Sequence, residues 1–290
     1  MKYNIFNIEY RFESEQLGTK EKFWIYDDGK KALFKIGREN TRENLAEKVA
    51  CEIGKLLDLP VANYEFAKFK DKLGILSHSI VAEGERLVHG NELLGKLVKG
   101  YPQEKYYKVR EYKIDTVLAL LKMLENKFNG NFLSNFIGYL IFDCLIANQD
   151  RHHENWGLIV KEGKEIVLAP SFDHASSLGC RVTKEEIQKR FTTKDKNYTI
   201  DKFCKKAKTP FYNSKQLTTI DVVKHIIRFN KKSVCYWIDK IYNLDDDNIR
   251  AIFDKIPKEF QEDEIVYEFM MKIIDANKNR LRELLSEHKI

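Results

Sequence analysis

The sequence predicts an α+β fold with two lobes, a small β-rich N-terminal lobe and a larger, mainly helical C-terminal lobe. Over roughly the first 85 residues, short apolar runs typical of strands are separated by turn residues, and one helical pattern lies among them. From residue 114 onward, apolar residues recur mostly every three or four positions, the spacing of amphipathic helices. A boundary near 84–90 separates the two patterns, so we expect lobes of residues 1–86 and 87–290.

In the N-terminal lobe, turn residues separate each predicted element from the next. Asp28-Gly29 between two strand-like runs is a strong hairpin signal. Thr41 is the expected N-cap of the helix, Pro60 closes the helical region, and Asp71-Lys72 is the expected second turn. The predicted strands are 22–26, 32–36, 62–70 and 73–81, and the predicted helix is 41–57.

In the C-terminal lobe, the most apolar helical pattern is 133–147, which we expect to be central. A strand pair follows it, and after Gly179 the pattern predicts helices to the end of the chain. The predicted helices are 114–127, 133–147, 214–230, 233–243 and 264–286, and the predicted strands are 158–161 and 165–169.

Composition bounds the class of protein. The chain of 290 residues is 43% hydrophobic and 32% charged, enough for a packed core without long disorder. Its net charge of +6 favours acidic ligands such as nucleotides, but the charge is spread along the chain, so we expect no direct nucleic-acid binding.

The lack of a recognisable signal peptide and the pattern of cysteines predict a cytoplasmic protein. The N-terminus lacks the apolar core of a signal peptide, and a specialised secretion route is left open. The longest apolar run, 136–147, is interrupted by Asp143 and is too short to cross a bilayer, so we expect no transmembrane segment. The five cysteines form no C-x-x-C pair, and we expect reduced thiols.

The polar segment that follows the central helix carries the chemistry. Asp150 and Asn155 lie five positions apart, and Asp173 follows the next strand pair, 18 residues beyond Asn155. This order brings the three side chains to one end of the hairpin. Phosphoryl transfer from ATP needs such a set, with Asp150 orienting the acceptor hydroxyl and Asn155 and Asp173 holding magnesium. The alternative for the Asp and Asn alone, a polar loop that caps helices and turns, is outweighed by the hairpin and by Asp173.

Histidines in the same motifs offer a second interpretation. His152, His153 and His174, with Asp150 and Asp173, could form a transition-metal site for hydrolysis. Adjacent histidines rarely face one metal, so we favour a structural role for His152 in the loop and an exposed His153.

Lys35 is the expected phosphate-binding lysine. It lies in an apolar strand, where an inward-pointing lysine needs a counter-charge. Glu47 on the following helix can supply it, as the corresponding lysine–glutamate pair does in kinases. Glu52 competes for this role, and Glu47 is preferred because Lys48, Lys55 and Asp58 are expected to mark the solvent face. The alternative is an edge-strand Lys35 that faces water.

Two further segments are candidates for nucleotide contacts. Gly18, Thr19 and Lys20 precede the first predicted strand, where backbone N–H groups and a lysine could meet phosphates. They match neither glycine-rich phosphate motif, and an ordinary surface turn is an equal alternative. Val81 and Ala82 leave the second hairpin toward the helical lobe, the position at which a bilobal kinase contacts adenine.

Taken together, these motifs resemble the HipA-like serine/threonine kinases. The resemblance covers most of the chain, is less diagnostic after about residue 185, and is most specific in its last two segments. The matching segments are 17–24, 33–35, 44–50, 57–60, 90–94, 147–156 and 168–179.

The resemblance implies a bilobal, protein-kinase-like fold and ATP- and Mg²⁺-dependent transfer of phosphate to protein Ser or Thr. It implies that Asp150 is the catalytic aspartate, that Asn155 and Asp173 bind Mg²⁺, that Lys35 binds phosphate, and that 18–20 belong to the phosphate loop. Some members of the family are toxins that an antitoxin partner neutralises.

The chain also departs from part of the family. Full-length toxins carry an additional N-terminal subdomain that we expect to be absent here, as in the compact members. The toxin role is therefore not assumed, and an antitoxin or another regulatory protein is left open as a partner. The resemblance to the compact members also implies that autophosphorylation controls kinase activity, and Ser14 and Thr19 are the candidate sites. A lipid or small-molecule acceptor and a non-catalytic binding module remain alternatives.

Overall fold

The structure, a computed structural model, describes residues 1–14, 21–161, 163 and 165–287. Its N-terminal part is a sheet in the order β1-β5-β6-β4-β3-β2, in which β1 and β5 are parallel and the other pairs are antiparallel. The strands are β1 (Ile5–Ile8), β2 (Glu13–Ser14), β3 (Lys22–Asp27), β4 (Lys30–Lys35), β5 (Tyr64–Phe69) and β6 (Lys72–His78).

Both predicted hairpins of this sheet are confirmed. Asp28 and Gly29 both have positive φ angles, 45° and 75°, as the two central residues of a type I′ turn require. The second turn is centred on Lys70 and Asp71, because Phe69 pairs with Lys72, one residue earlier than predicted. Strands β1 and β2 were not predicted, since each is short; β1 pairs with the distant β5, and β2 pairs with β3.

The predicted helix between the hairpins is α1 (Glu43–Leu56), but Thr41 is not its N-cap. The N-cap is Arg42, whose side chain makes no capping hydrogen bond, and the Thr41 hydroxyl instead donates to the Arg38 carbonyl at 2.7 Å. The Arg42 backbone N–H donates to the Cys180 carbonyl at 2.8 Å. The start of α1 is therefore set by a contact with the C-terminal part of the chain, which local sequence does not encode.

The C-terminal part is mainly helical. Its small sheet has the order β7-β8-β9, and β7 ties the segment after the N-terminal sheet to the predicted strand pair β8–β9. The strands are β7 (Arg86–His89), β8 (Gly157–Val160), β9 (Ile166–Leu168), β10 (Lys208–Tyr212) and β11 (Gln216–Thr218). The helices are α2 (Gly90–Leu97), α3 (Ile114–Phe128), α4 (Phe132–Leu145), α5 (Lys184–Thr192), α6 (Ile200–Lys205), α7 (Thr219–Phe229), α8 (Lys231–Tyr242), α9 (Asp246–Asp254) and α10 (Glu264–Glu287), with a 3₁₀ turn at Lys258–Phe260.

The prediction of helices only after Gly179 is wrong at one place. Strands β10 and β11 form an antiparallel hairpin, and the helix predicted from residue 214 begins at Thr219. Thr218 caps that helix by accepting from the Asp221 N–H at 3.2 Å, and Asp221 returns a bond to the Thr218 N–H. This capping box was present in the sequence and marks the true start of the helix.

The core runs through both parts. Helix α4 is buried along most of its length, as predicted for the central helix, and packs against α7 and α8. Phe66 of the N-terminal sheet packs on Phe260 with ring centroids 4.2 Å apart, which joins the two parts. All five cysteines are free. Among the helices that the structure describes, none has both the length and the apolar character that a membrane span requires.

Candidate active site

A buried ion pair holds the polar segment after α4. Arg151 is fully buried, and its Nε and Nη2 donate to Asp143 Oδ2 and Oδ1, both at 2.8 Å. The same guanidinium donates to Ser171 Oγ at 2.8 Å and to the Asn155 carbonyl at 2.7 Å. One side chain therefore connects the central helix, the polar segment and the segment that carries Asp173.

This ion pair was not predicted, although the sequence contains a signal for it. Asp143 interrupts the apolar run of α4, and a carboxylate on a buried helix requires a charged or hydrogen-bonded partner. Arg151, eight residues later, was the nearest cation that could return to it.

Asp150 and Asn155 lie together on the polar segment. Asn155 is buried, and its Nδ2 donates to the Asp150 carbonyl at 2.6 Å, which leaves Oδ1 as the oxygen donor of that amide. The Asp150 N–H donates to Asn148 Oδ1 at 3.2 Å, and Ser176 Oγ donates to Asp150 Oδ2 at 3.5 Å. The Asp150 carboxylate is partly exposed, so a hydroxyl group can approach it.

Lys35 and Asp173 meet across the two parts of the molecule, although 138 residues separate them in the chain. Lys35 Nζ lies 4.0 Å from Asp173 Oδ1, and the Asp173 N–H donates to the Tyr64 hydroxyl at 3.0 Å. Glu47 is buried and accepts from the His174 N–H at 2.7 Å. Burial alone would lower the pKa of Lys35, but the charges of Asp173 and then Glu47 outweigh it and raise that pKa. Lys35 is therefore held as a cation.

The competing partner Glu52 is bound elsewhere. Its Oε1 accepts from Lys48 Nζ and from Lys55 Nζ, both at 2.8 Å. The expectation that Lys48 marks the solvent face of α1 is wrong, because Lys48 is buried and also donates to the Tyr64 carbonyl at 2.8 Å. Glu47, and not Glu52, therefore shares the environment of Lys35.

The histidines occupy separate hydrogen-bonding networks. His153 is buried, not exposed as expected, and its Nδ1 lies 2.7 Å from the Tyr101 hydroxyl. Burial lowers its pKa to about 4. His152 Nδ1 accepts from the Glu154 N–H at 3.2 Å, the loop role that we expected, and His174 is fully buried. In the described part of the chain, no three His, Cys, Asp or Glu side chains form a group that could hold a metal ion.

The donors expected for magnesium fit that ion by their chemistry. Asn155 and Asp173 offer an amide and a carboxylate oxygen, the hard ligands that Mg²⁺ prefers, and Mg²⁺ commonly completes its shell with water and phosphate oxygens. The Asp173 side chain is 34% exposed and faces Lys35. Its positive φ of 58° is an uncommon conformation for a residue other than glycine and is frequent at functional sites.

The two other segments predicted to contact the nucleotide are residues 18–20 and Val81-Ala82. Gly18, Thr19 and Lys20 lie outside the described residues. Val81 and Ala82 lie in the turn between β6 and β7, where the Val81 carbonyl accepts from Ser79 Oγ at 2.8 Å. The Ala82 N–H donates to Glu85 Oε2 at 2.8 Å. An adenine ring that used the Ala82 N–H would have to displace Glu85 Oε2, whereas the Val81 carbonyl can accept a second hydrogen bond.

A cleft of about 770 Å³ opens beside Asp150, and we name it the Asp150 cleft. It is lined by residues from the segments 38–41, 106–112, 149–153 and 208–216, together with Ser176 and Arg181. Its volume lies in the range of ordinary ligand sites. Lys35 and Asp173 are not among its described lining residues, so the cleft approaches Asp150 from another direction.

Comparison with known proteins gives matches over most of the chain. The model of the HipA-like C-terminal domain family matches residues 16–237. The chain is 28% identical over 257 residues to the serine/threonine-protein kinase CtkA of Helicobacter pylori strain J99, which covers 84% of this chain and 75% of CtkA.

Solved structures share the fold. The crystal structure of the Helicobacter pylori proinflammatory kinase CtkA superposes with a TM-score of 0.71 at 22% identity, covering 95% of this chain and 99% of that one. A chain from the complex of HipA, HipB and operator DNA from Shewanella oneidensis MR-1 has a TM-score of 0.62 at 12% identity. This second match covers 95% of this chain and 66% of that one. The predicted α+β, kinase-like fold is therefore confirmed.

Proposed function

The chain belongs to the HipA-like C-terminal domain family, and from this membership and the site we propose that it is an ATP- and Mg²⁺-dependent serine/threonine protein kinase. The observation that supports the proposal best is the contact of Lys35 with Asp173, near the buried Glu47. A cation and two carboxylates brought together from distant segments are what a metal–nucleotide complex requires.

In this proposal the chain's own groups position the reactants. Asp150 accepts a hydrogen bond from the acceptor hydroxyl and takes its proton as the new P–O bond forms and the bond from the γ-phosphorus to the bridging oxygen breaks, releasing ADP. Lys35 binds phosphate oxygens, and Glu47 keeps that lysine charged in its buried position. Asn155 and Asp173 hold Mg²⁺, which when bound neutralises charge on the phosphates.

Regulation and partners follow from the family as further parts of the proposal. We assign phosphate contacts to 18–20 and adenine contacts to Val81 and Ala82. Autophosphorylation at Ser14 or Thr19 would add a phosphate within or near residues 18–20. The substrate is a protein with an acceptor Ser or Thr, the partner is an antitoxin-like or other regulatory protein, and the compartment is the cytoplasm.

The first test is phosphate transfer by the purified full chain. Incubation with Mg²⁺ and ATP labelled in the γ-phosphate, with and without a cell lysate, should label Ser or Thr of this chain or of another protein. Asp150→Asn should reduce labelling by about 100-fold or more without lowering the melting temperature. Asp71→Asn, a matched change at an exposed turn, should retain wild-type labelling. Wild-type activity in Asp150→Asn would exclude the assigned role.

Nucleotide binding tests the remaining roles separately. Asp173→Asn should remove the Mg²⁺-dependent part of ATP affinity, whereas Lys35→Met should weaken ATP binding with or without Mg²⁺. Lys30→Met, on the same strand but exposed, is the matched control. If Mg²⁺ and ATP together give no thermal shift of the wild-type protein, it is a non-catalytic module and the proposal fails. If the label from ATP appears in lipid and not in protein, the acceptor is a lipid and the proposed protein substrate is wrong.

A further inference from the structure

The Asp150 cleft is lined by more cationic than anionic side chains. Arg38 and Arg181 line it near Asp150, and Lys108 and Lys208 line it from two other segments. Its acidic lining residues are Asp150 itself and Glu39. A substrate segment bound in this cleft therefore meets mostly basic side chains around Asp150, the residue proposed to accept a hydrogen bond from its hydroxyl group.

The two arginines are linked to each other and to Asp150. Arg38 Nη1 and Arg181 Nη2 both contact Glu43 Oε1, at 2.5 Å and 3.3 Å, so two guanidinium groups share one buried carboxylate. Arg181 Nη2 also donates to Ser176 Oγ at 3.2 Å, and Ser176 donates to Asp150. Burial alone would lower the pKa of Arg38, but Glu43 and, more weakly, Asp150 raise it. The arginines are thus fixed close to the acceptor position.

The lysines complete the basic lining of the cleft. Lys108 and Lys208 are both exposed, and within the described residues neither makes an ion pair. Lys208 comes from the β10–β11 hairpin, whereas Lys108 comes from the segment before α3. Two exposed ammonium groups that make no ion pair with any described residue are suited to meet an anion brought by a ligand.

We propose that this cleft selects protein acceptors that carry an anionic side chain close to the acceptor Ser or Thr. The inference rests on the proposed kinase function and adds a class of substrate to it. Carboxylates of Asp or Glu and the phosphate of an already phosphorylated residue share the required chemistry. Guanidinium groups bind both through charge-assisted, often bidentate hydrogen bonds.

Short peptides can test this selectivity directly. Each peptide carries one acceptor Ser in a neutral background. Across the series, each of the three positions on either side of this Ser is occupied in turn by Asp, by phosphoserine introduced during synthesis, by Ala or by Lys. With the full chain, Mg²⁺ and ATP, we expect kcat/KM for the best anionic peptide to exceed that of the matching Lys peptide by about tenfold or more. The ratio of the Asp and phosphoserine peptides distinguishes the two anion sources.

Variants of the two exposed lysines should change the preference and not the chemistry. Lys108→Glu/Lys208→Glu should reduce the ratio of anionic to Lys peptide severalfold. The matched control is Lys224→Glu/Lys232→Glu, the same charge change on exposed helical positions outside the cleft. Autophosphorylation and ATP affinity measured in parallel report any general loss of folding or catalysis.

A binding measurement separates this inference from the kinase proposal. Fluorescence anisotropy of the labelled Asp, phosphoserine and Lys peptides, with Mg²⁺ and a non-hydrolysable ATP analogue, requires no turnover. Tighter binding of the anionic peptides, lost in the double lysine variant, supports the inference even if no phosphate is transferred. Equal binding and equal rates for anionic and Lys peptides overturn it while leaving the kinase intact.

Discussion

Removal of Asp143 tests the buried ion pair that holds the polar segment carrying Asp150 and Asn155. Asp143→Ala deletes both 2.8 Å bonds to Arg151 and leaves a fully buried guanidinium without its counter-ion. An arginine cannot relieve this cost by losing its proton, because its pKa lies far above neutrality. Among the described residues, the guanidinium would retain Ser171 Oγ and the carbonyls of Asn155 and Phe172 as acceptors.

Breaking a buried pair by removing one partner costs about 3–5 kcal/mol. With an unfolding entropy of about 2.1 cal/mol/K per residue, a chain of this length should lose roughly 5–8 °C in melting temperature. Because Arg151 also binds the Asn155 carbonyl, phosphate transfer should fall more than the loss of folded protein explains.

Urea unfolding followed by circular dichroism measures the free energy, and thermal melting gives the midpoint. Asp239→Ala, at an exposed position of α8, is the matched carboxylate control and should stay within about 0.5 kcal/mol of wild type. Asp143→Leu/Arg151→Met removes both charges and should recover much of the loss. A loss below about 1 kcal/mol in Asp143→Ala would refute the role given to the pair.

Three further predictions concern packing, backbone conformation and pH. Gly138→Ala should lower the free energy of unfolding by about 1–3 kcal/mol, because the new Cβ would lie 2.5 Å from the Trp237 ring; an unchanged urea midpoint would contradict this. Gly29→Val should cost about 1–2 kcal/mol in the same assay because φ is positive there, whereas Gly29→Asn should cost less; equal losses would argue against a conformational cause. The folded pKa of His153 is about 4 against 6.5 for an ordinary histidine, so the unfolded chain binds more protons between these values and stability falls as pH decreases through that window. His153→Gln should make the pH dependence of urea unfolding shallower there, although the lowered pKa of His174 keeps part of it, and an unchanged dependence would exclude this role.

Local signals in the sequence predicted most elements and the order of the motifs that carry Asp150, Asn155 and Asp173. These signals act over short stretches of sequence. They are the Asp28-Gly29 turn, the apolar periodicity of α1, α3 and α4, and the spacing of Asp150, Asn155 and Asp173 around the predicted hairpin. Short-range patterns were insufficient where a distant partner decides the outcome. The start of α1 depends on a bond to the Cys180 carbonyl, and the buried Lys48 donates to the distant Tyr64 carbonyl.

By itself, the sequence determined the two-part α+β architecture, because turn chemistry and apolar periodicity act between near neighbours, and it supplied the residue types that the proposed phosphoryl transfer requires. Only the tertiary structure decided which charges meet. Lys35 reaches Asp173 across 138 residues, Glu52 turns to Lys48 and Lys55, and the β10–β11 hairpin brings Lys208 to the cleft beside Asp150. These pairings depend on how the sheet, α1 and the helices pack, and that packing is set by contacts between segments far apart in the chain.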